Sequence, residues 1–187
     1  IALASGKVDN FIDKEYYDTS DIPKLTFKGM VSFIDPIRVE VKDAIEKSRE
    51  AGIKVIMITG DHPLTAFSIA KELKLTTDYE EATTGVELDK EYNKGEESFD
   101  RFIKRKFVFS RVTPLQKLKI VESLKRQGEV VAVTGDGTND APALGKAQVG
   151  LSMGDGTSRA KEASDITIID NSFSSINKAI MWGRSLY

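Results

Sequence analysis

The sequence predicts an α/β fold, a doubly wound and mostly parallel Rossmann-like sheet, on three observations. Two short apolar runs, Val55-Ile56-Met57-Ile58 and Val130-Val131-Ala132-Val133, carry no polar alternation and so read as strands buried on both faces. Each run ends in the same Thr-Gly-Asp turn, at Thr59-Gly60-Asp61 and at Thr134-Gly135-Asp136. From Asp35 to the end of the chain, helical and strand patterns alternate.

Val39, Val41, Ala44 and Ile45 fall on one helical face, and Gly52 stands where that helix ends, ahead of a strand over 54–58. Pro63 suits a first helical turn and precedes the apolar stripe Ala66, Phe67, Ile69, Ala70 and Leu73. Thr113 and Pro114 repeat the start signal; Leu118, Val121 and Leu124 face inward, and Gly128 closes the helix before the strand over 130–133. A helix near Asp140, a strand over 149–153, a helix from about 158, a strand over 166–169 and a helix from about 175 complete the alternation.

Two stretches stand outside that rhythm. Residues 1–30 hold a short apolar patch, an acidic polar segment over 9–21 and then a stretch over 25–33 that could be a strand. Residues 76–100 are acid-rich and read as a surface excursion with little core of its own, its charge solubilising.

The 187 residues allow one good core and a small appendage. A net charge of -2 leaves no electrostatic footprint for nucleic acid, and no apolar stretch is long enough to span a bilayer. Without cysteine there is no disulfide framework, no zinc cluster and no thiol nucleophile, which suits a reducing cytosol. The chain begins at Ile1-Ala2-Leu3 and stops at Leu186-Tyr187 inside a helical pattern, as an excised fragment would.

Chemistry is expected where the strands end, because ligands of open parallel sheets bind outside the carboxyl ends of the strands. In Thr134-Gly135-Asp136-Gly137-Thr138-Asn139-Asp140 two glycines permit close backbone approach, and two carboxylates with an amide supply the oxygen lining that suits magnesium. Familiar phosphate loops fail on these residues. A Walker A loop needs glycine where Asp140 stands and Ser or Thr where Ala147 stands, while Gly135-Asp136-Gly137 and Gly154-Asp155-Gly156 are incomplete dinucleotide fingerprints. Lys117 lies early in a helix, where it would be either an ordinary solvated lysine or an ammonium reaching back to the sheet edge.

A Thr, a Lys at a helix start and paired acids after a later strand resemble three motifs of the haloacid dehalogenase superfamily. More narrowly, the chain resembles the phosphorylation domain of a P-type cation-transporting ATPase. The resemblance is carried by Asp35-Pro36-Ile37-Arg38, Met57-Ile58-Thr59-Gly60-Asp61, Arg111-Val112-Thr113-Pro114 with Lys117, and the stretch from Thr134 through Asp140 to Ala141-Pro142-Ala143-Leu144. Val149-Gly150-Leu151-Ser152-Met153-Gly154 and Ala160-Lys161-Glu162-Ala163-Ser164-Asp165 continue it. The nucleophilic Asp-Lys-Thr-Gly-Thr sequence of that family does not occur in these residues.

The resemblance implies ATP and Mg2+ as cofactors, and residues 1–30 as the end of the nucleotide-binding domain and hinge. Residues 31–187 would then be the C-terminal part of the phosphorylation domain, ending at the helix that leads to the membrane. Asp136 would bind magnesium, with Asp140 orienting it, while Thr59, Gly60, Lys117 and Asn139 would hold phosphoryl oxygens. Asp35, Arg38, Asp61 and Arg111 would meet the nucleotide or fix the hinge, although for Asp35 and Arg38 a plain loop ion pair is the competing reading. His62 has no matched role and reads as a solvated loop residue; Trp182 and Tyr187 on the last helix would be partly exposed. The whole protein would be an integral membrane pump, with this piece on the cytoplasmic side. Its partners would be ATP, the rest of the same polypeptide and a transported cation, calcium by general pattern. A soluble phosphatase of the same superfamily, or a non-catalytic module derived from one, is the alternative.

Overall fold

The protein is described by a computed structural model covering residues 1–8, 13–33 and 36–185. Two compact units divide it, residues 1–36 and 37–187. In the first, β1 (Ala2–Ser5) pairs antiparallel with β2 (Thr26–Met30), with a register shift between Leu3 and Ala4. A 3-10 turn at Thr19–Asp21, capped by Asp18, occupies the acidic segment between them.

The second unit is mixed α/β with parallel sheets. It contains α1 (Val39–Glu50), β3 (Met57–Ile58), α2 (Pro63–Glu72), β4 (Ala82–Thr84), α3 (Gly85–Tyr92), α4 (Glu96–Lys104), β5 (Val108–Ser110) and α5 (Pro114–Arg126). It continues with β6 (Ala132–Gly135), α6 (Ala141–Lys146), β7 (Val149–Met153), α7 (Ser158–Glu162), β8 (Ile166–Ile168) and α8 (Phe173–Ser185). All pairings are parallel, in two three-stranded sheets of order β3-β5-β4 and β6-β7-β8.

Helix α5 serves both sheets. Its Ile120 and Leu124 pack with Phe109, Ile56 and Ile58 on the first, while Val121 and Leu124 pack with Val131, Val133 and Ala143 beside the second. Phe173, at the start of α8, lies against both the Ile45–Val108 cluster and the Leu151–Ile168 cluster. Starts and stops follow the expected chemistry: Thr113 caps α5 through a capping box with Pro114 at its first turn, and Gly128 beyond it has φ +83.

The structure corrects three expectations. Residues 76–100 are more than a surface excursion with little core of its own, because α3 and α4 bury Leu88 and Phe99, and Ile103 just beyond them, at 1% exposure or less. These apolar residues are few but helically spaced, so one face packs while the acids stay outside. Val108–Ser110, not anticipated as a strand, is fully buried at the centre of its sheet. The run over 130–133 is not buried on both faces: Val131 is buried while Val130 is 83% exposed and Ala132 and Thr134 are also exposed. Its strand is an edge among the described residues, with only one face covered by helices.

Candidate active site

At the carboxyl end of β6 the backbone turns through Asp136 and Gly137 into a 3-10 turn, Thr138–Asp140, that runs on into α6. Asp140 folds back over this turn. Its Oδ2 accepts the backbone N–H of Asp136 at 3.3 Å and of Gly137 at 3.2 Å, and the residue is only 9% exposed. Gly135 is required by that fold-back, because a Cβ there would lie 2.5 Å from Asp140 Cβ.

The other oxygen of Asp140 accepts from Lys117 Nζ at 2.6 Å. The lysine sits one turn into α5, so its long stem crosses from that helix to the end of β6. A half-buried ammonium against a buried carboxylate that also accepts two N–H groups is a satisfied, preorganised charge pair. Asp136 and Asn139 are exposed at the mouth of the same turn. Asp136 is braced from behind: its carbonyl accepts Thr157 N–H at 2.8 Å, and a Cβ at Gly156 would come within 3.1 Å of that carbonyl oxygen.

The second group of expected residues lies at the end of β3. Thr59 donates its N–H to the Phe109 carbonyl at 2.8 Å and its carbonyl accepts Val112 N–H at 3.3 Å, which ties it to the turn that opens α5 and leads to Lys117. Thr59 Oγ1 accepts Asp61 N–H at 3.1 Å, and Gly60 and Asp61 are exposed. Arg111, in that same turn, has φ +50 and is exposed.

Arg38 donates from Nη1 to the carbonyl of Asn171 at 3.0 Å, tying the start of α1 to the start of α8. Asp35 and Tyr187 lie outside the described residues. His62 is exposed as expected, yet it caps α2, its Nδ1 accepting Leu64 N–H at 3.3 Å. Trp182 is 72% exposed on α8.

Asp136, Asp140 and Asn139 offer only hard oxygen donors, the chemistry that suits Mg2+. Asp140 is already engaged by Lys117 and two N–H groups, which leaves Asp136 as the carboxylate free to meet a cation directly. Among the described residues no three acidic or histidine side chains converge on a metal-sized gap. The donor set fits as a contribution to a magnesium site.

The haloacid dehalogenase-like hydrolase family model matches residues 4–148. The chain belongs to that family. Curated proteins similar to it include cation-transporting ATPases. Calcium-transporting ATPase 1 of Bacillus cereus is 46% identical over 187 residues, covering 97% of this chain and 21% of the relative. The sodium/potassium-transporting ATPase subunit alpha-2 of Homo sapiens is 40% identical over 199 residues, 91% of this chain and 20% of the relative. A solved zinc-transporting PIB-type ATPase in an E2.Pi state superposes with a TM-score of 0.60 at 28% identity, over 81% of this chain and 20% of that one. The chain thus spans about a fifth of the length of these proteins.

For a haloacid dehalogenase-like hydrolase, some supporting residues escape a reading of motifs alone. The glycines of Gly154-Asp155-Gly156 serve packing: a Cβ at Gly154 would meet the Ile169 carbonyl oxygen at 2.5 Å. Gln116, adjacent to Lys117, is 7% exposed and fully engaged, with partners far off in sequence.

Proposed function

We propose that this chain is the C-terminal part of the phosphorylation domain of a P-type cation-transporting ATPase, preceded by the end of its nucleotide-binding domain and hinge over residues 1–30. The observation that carries the proposal is the Lys117–Asp140 pair, 2.6 Å apart at the carboxyl end of a parallel strand, with Asp136 exposed beside it.

In this reading a carboxylate oxygen of an aspartate elsewhere in the polypeptide attacks the terminal phosphorus of ATP. The new O–P bond forms as the bond to the ADP oxygen breaks, and water later cleaves the acyl phosphate to free phosphate. Such transfer depends on positioning and charge neutralisation more than on covalent help from the protein. Lys117 neutralises phosphoryl charge; Thr59 and Gly60, with Asn139, present hydrogen-bond donors to its oxygens. Asp136 holds magnesium, which when bound offsets charge on the transferring group, while Asp140 keeps Asp136 and Lys117 in register. Asp61, Arg111, Asp35 and Arg38 contribute on the nucleotide and hinge side.

The sheet arrangement supports this reading. Among the described residues β3 and β6 are edge strands, each paired on one side only, and Thr59 and Gly60 follow the carboxyl end of one while Asp136 and Asn139 follow that of the other. A parallel strand entering beside them would deliver an aspartate at its carboxyl end to Lys117 and Asp136. Calcium is the transported cation favoured by the overall motif pattern, with the selecting ligands in membrane helices of the whole protein. Among the described residues no helix is long and apolar enough to cross a membrane.

The test is acid-quenched labelling of the longer parent polypeptide with ATP labelled at its terminal phosphate, in calcium, sodium or zinc. A hydroxylamine-labile phosphoenzyme formed fastest with calcium supports the full reading. No such phosphoenzyme under any cation refutes the pump assignment, and stimulation by another cation refutes calcium.

A further inference from the structure

We propose that Gln116 is a positioning residue for Lys117, acting with Gly85 and Asp89 of α3 to seat the first turn of α5. The proposal rests on the phosphoryl role of Lys117 for its meaning in the reaction.

In a capping box, the residue three positions into a helix returns an acceptor oxygen to the backbone N–H at the cap, and glutamate does this as well as glutamine. Gln116 fulfils that half of the device, its Oε1 accepting Thr113 N–H at 2.9 Å. The amide has a second half. Its Nε2 donates to the Gly85 carbonyl at 2.9 Å and to Asp89 Oδ2 at 2.8 Å, partners 31 and 27 residues away on α3. The residue is 7% exposed and both amide ends are engaged, so no other side chain of that length supplies one acceptor and two donors there.

The seat is tight on both sides. A Cβ at Gly85 would lie 2.5 Å from the Arg111 carbonyl oxygen and 2.6 Å from Gln116 Oε1, so α3 begins in direct contact with the turn that opens α5. Arg111 in that turn holds a left-handed φ of +50, a conformation sparse for a non-glycine residue that persists when its surroundings enforce it. At the far end of α3 the Lys119 ammonium stands 3.5 Å from the centre of the Tyr92 ring. Helix α3 therefore grips α5 on both sides of Lys117 in sequence. Because the lysine stem is flexible, where its ammonium arrives depends on where the helix start is held. The acid-rich stretch is thereby a buttress for the ammonium at the site.

The experiment uses this chain with 15N-labelled lysine and observes the Lys117 ammonium by NMR near neutral pH, assigned by its loss in Lys117→Arg. Hydrogen exchange of that ammonium reports how firmly it is held, and circular dichroism monitors the fold. Gln116→Glu keeps the acceptor but loses both donors, and should speed exchange roughly fivefold or more, the scale of one lost net hydrogen bond. Asp89→Ala, at an exposed residue outside the core, should speed it by a smaller factor; if Gln116→Glu does not fold, this variant decides. Wild-type exchange at Lys117 in the folded variants overturns the proposal. No phosphoryl group or metal takes part, so the result is separate from the catalytic reading. Faster exchange in Gln116→Glu, alongside wild-type phosphorylation of a Lys117→Ala parent, would keep the positioning role and sink the catalytic one.

Discussion

Gly135 and Asp140 are in contact so close that a single added methyl on the glycine would fall 2.5 Å from the aspartate Cβ and 2.9 Å from its Oδ2. The turn can carry its buried carboxylate only because position 135 has no side chain. Gly135→Ala should displace Asp140, loosen Lys117 and cost about 1–3 kcal/mol of stability by overpacking. Gly137→Ala is the control: its Cβ would sit 3.5 Å from Asp140 Oδ2 at an ordinary φ of -98, and the cost should stay within about 0.5 kcal/mol. Urea denaturation of the two variants checks the contrast, and equal costs would contradict it.

The expected magnesium affinity follows from which carboxylate is available. Asp140 is occupied by Lys117 and two N–H groups, so this chain offers one exposed carboxylate at the turn and should bind Mg2+ only weakly, on the order of millimolar. Asp136→Ala should abolish the binding. Calorimetric titration showing micromolar affinity, or binding indifferent to that substitution, would place the cation elsewhere.

A third expectation concerns phosphorylation of the chain alone. No Asp-Lys-Thr-Gly-Thr sequence occurs in its 187 residues, so incubation with labelled ATP and magnesium should leave no acid-stable label. Label retained after acid quenching and released by hydroxylamine would reveal a nucleophile within these residues.

Acid sensitivity can be read from a pair on the far side of α5. Burial pushes the Asp100 carboxyl upward, but the Arg126 guanidinium and the Ser123 hydroxyl outweigh it, so the net shift is downward. Arg126 Nη2 donates to Asp100 Oδ1 at 2.7 Å. A depressed folded-state pKa contributes stability that is complete above the unfolded value, about 3.9, and is lost as pH falls through the folded value. The stability gap between wild type and Asp100→Asn should therefore be constant near neutrality and close below about pH 4. Urea midpoints from pH 6 down to pH 3 check this, and a gap that widens on acidification would contradict it.

Contact range separates the features legible in the sequence from those that were not. The turn from Thr134 to Asp140 was legible because its chemistry is local: glycines, carboxylates and the strand before them lie within a few positions. Lys117 was ambiguous from its place one turn into α5, either a solvated lysine or an ammonium at the site, and only the family resemblance singled it out, because its partner Asp140 lies 23 residues away. Gln116 could not, since the donors that distinguish it from any capping-box residue reach Gly85 and Asp89 across 31 and 27 residues. The helices of residues 85–104 were hidden by their own acids, which dilute the spacing of Leu88, Phe99 and Ile103. The Val108–Ser110 strand is three residues long, too short for periodicity to declare it, and its place at the centre of a sheet is a property of its neighbours.

The central claim is that the Lys117 ammonium neutralises a transferring phosphoryl group, and rapid-quench phosphorylation of the parent polypeptide tests it most directly. Lys117→Ala should slow phosphoenzyme formation by roughly two orders of magnitude, the scale of one preorganised electrostatic donor removed, with the fold retained by circular dichroism. Lys117→Arg should recover little, because a planar guanidinium does not replace a compact ammonium held 2.6 Å from Asp140. Wild-type phosphorylation rates in Lys117→Ala would contradict the account.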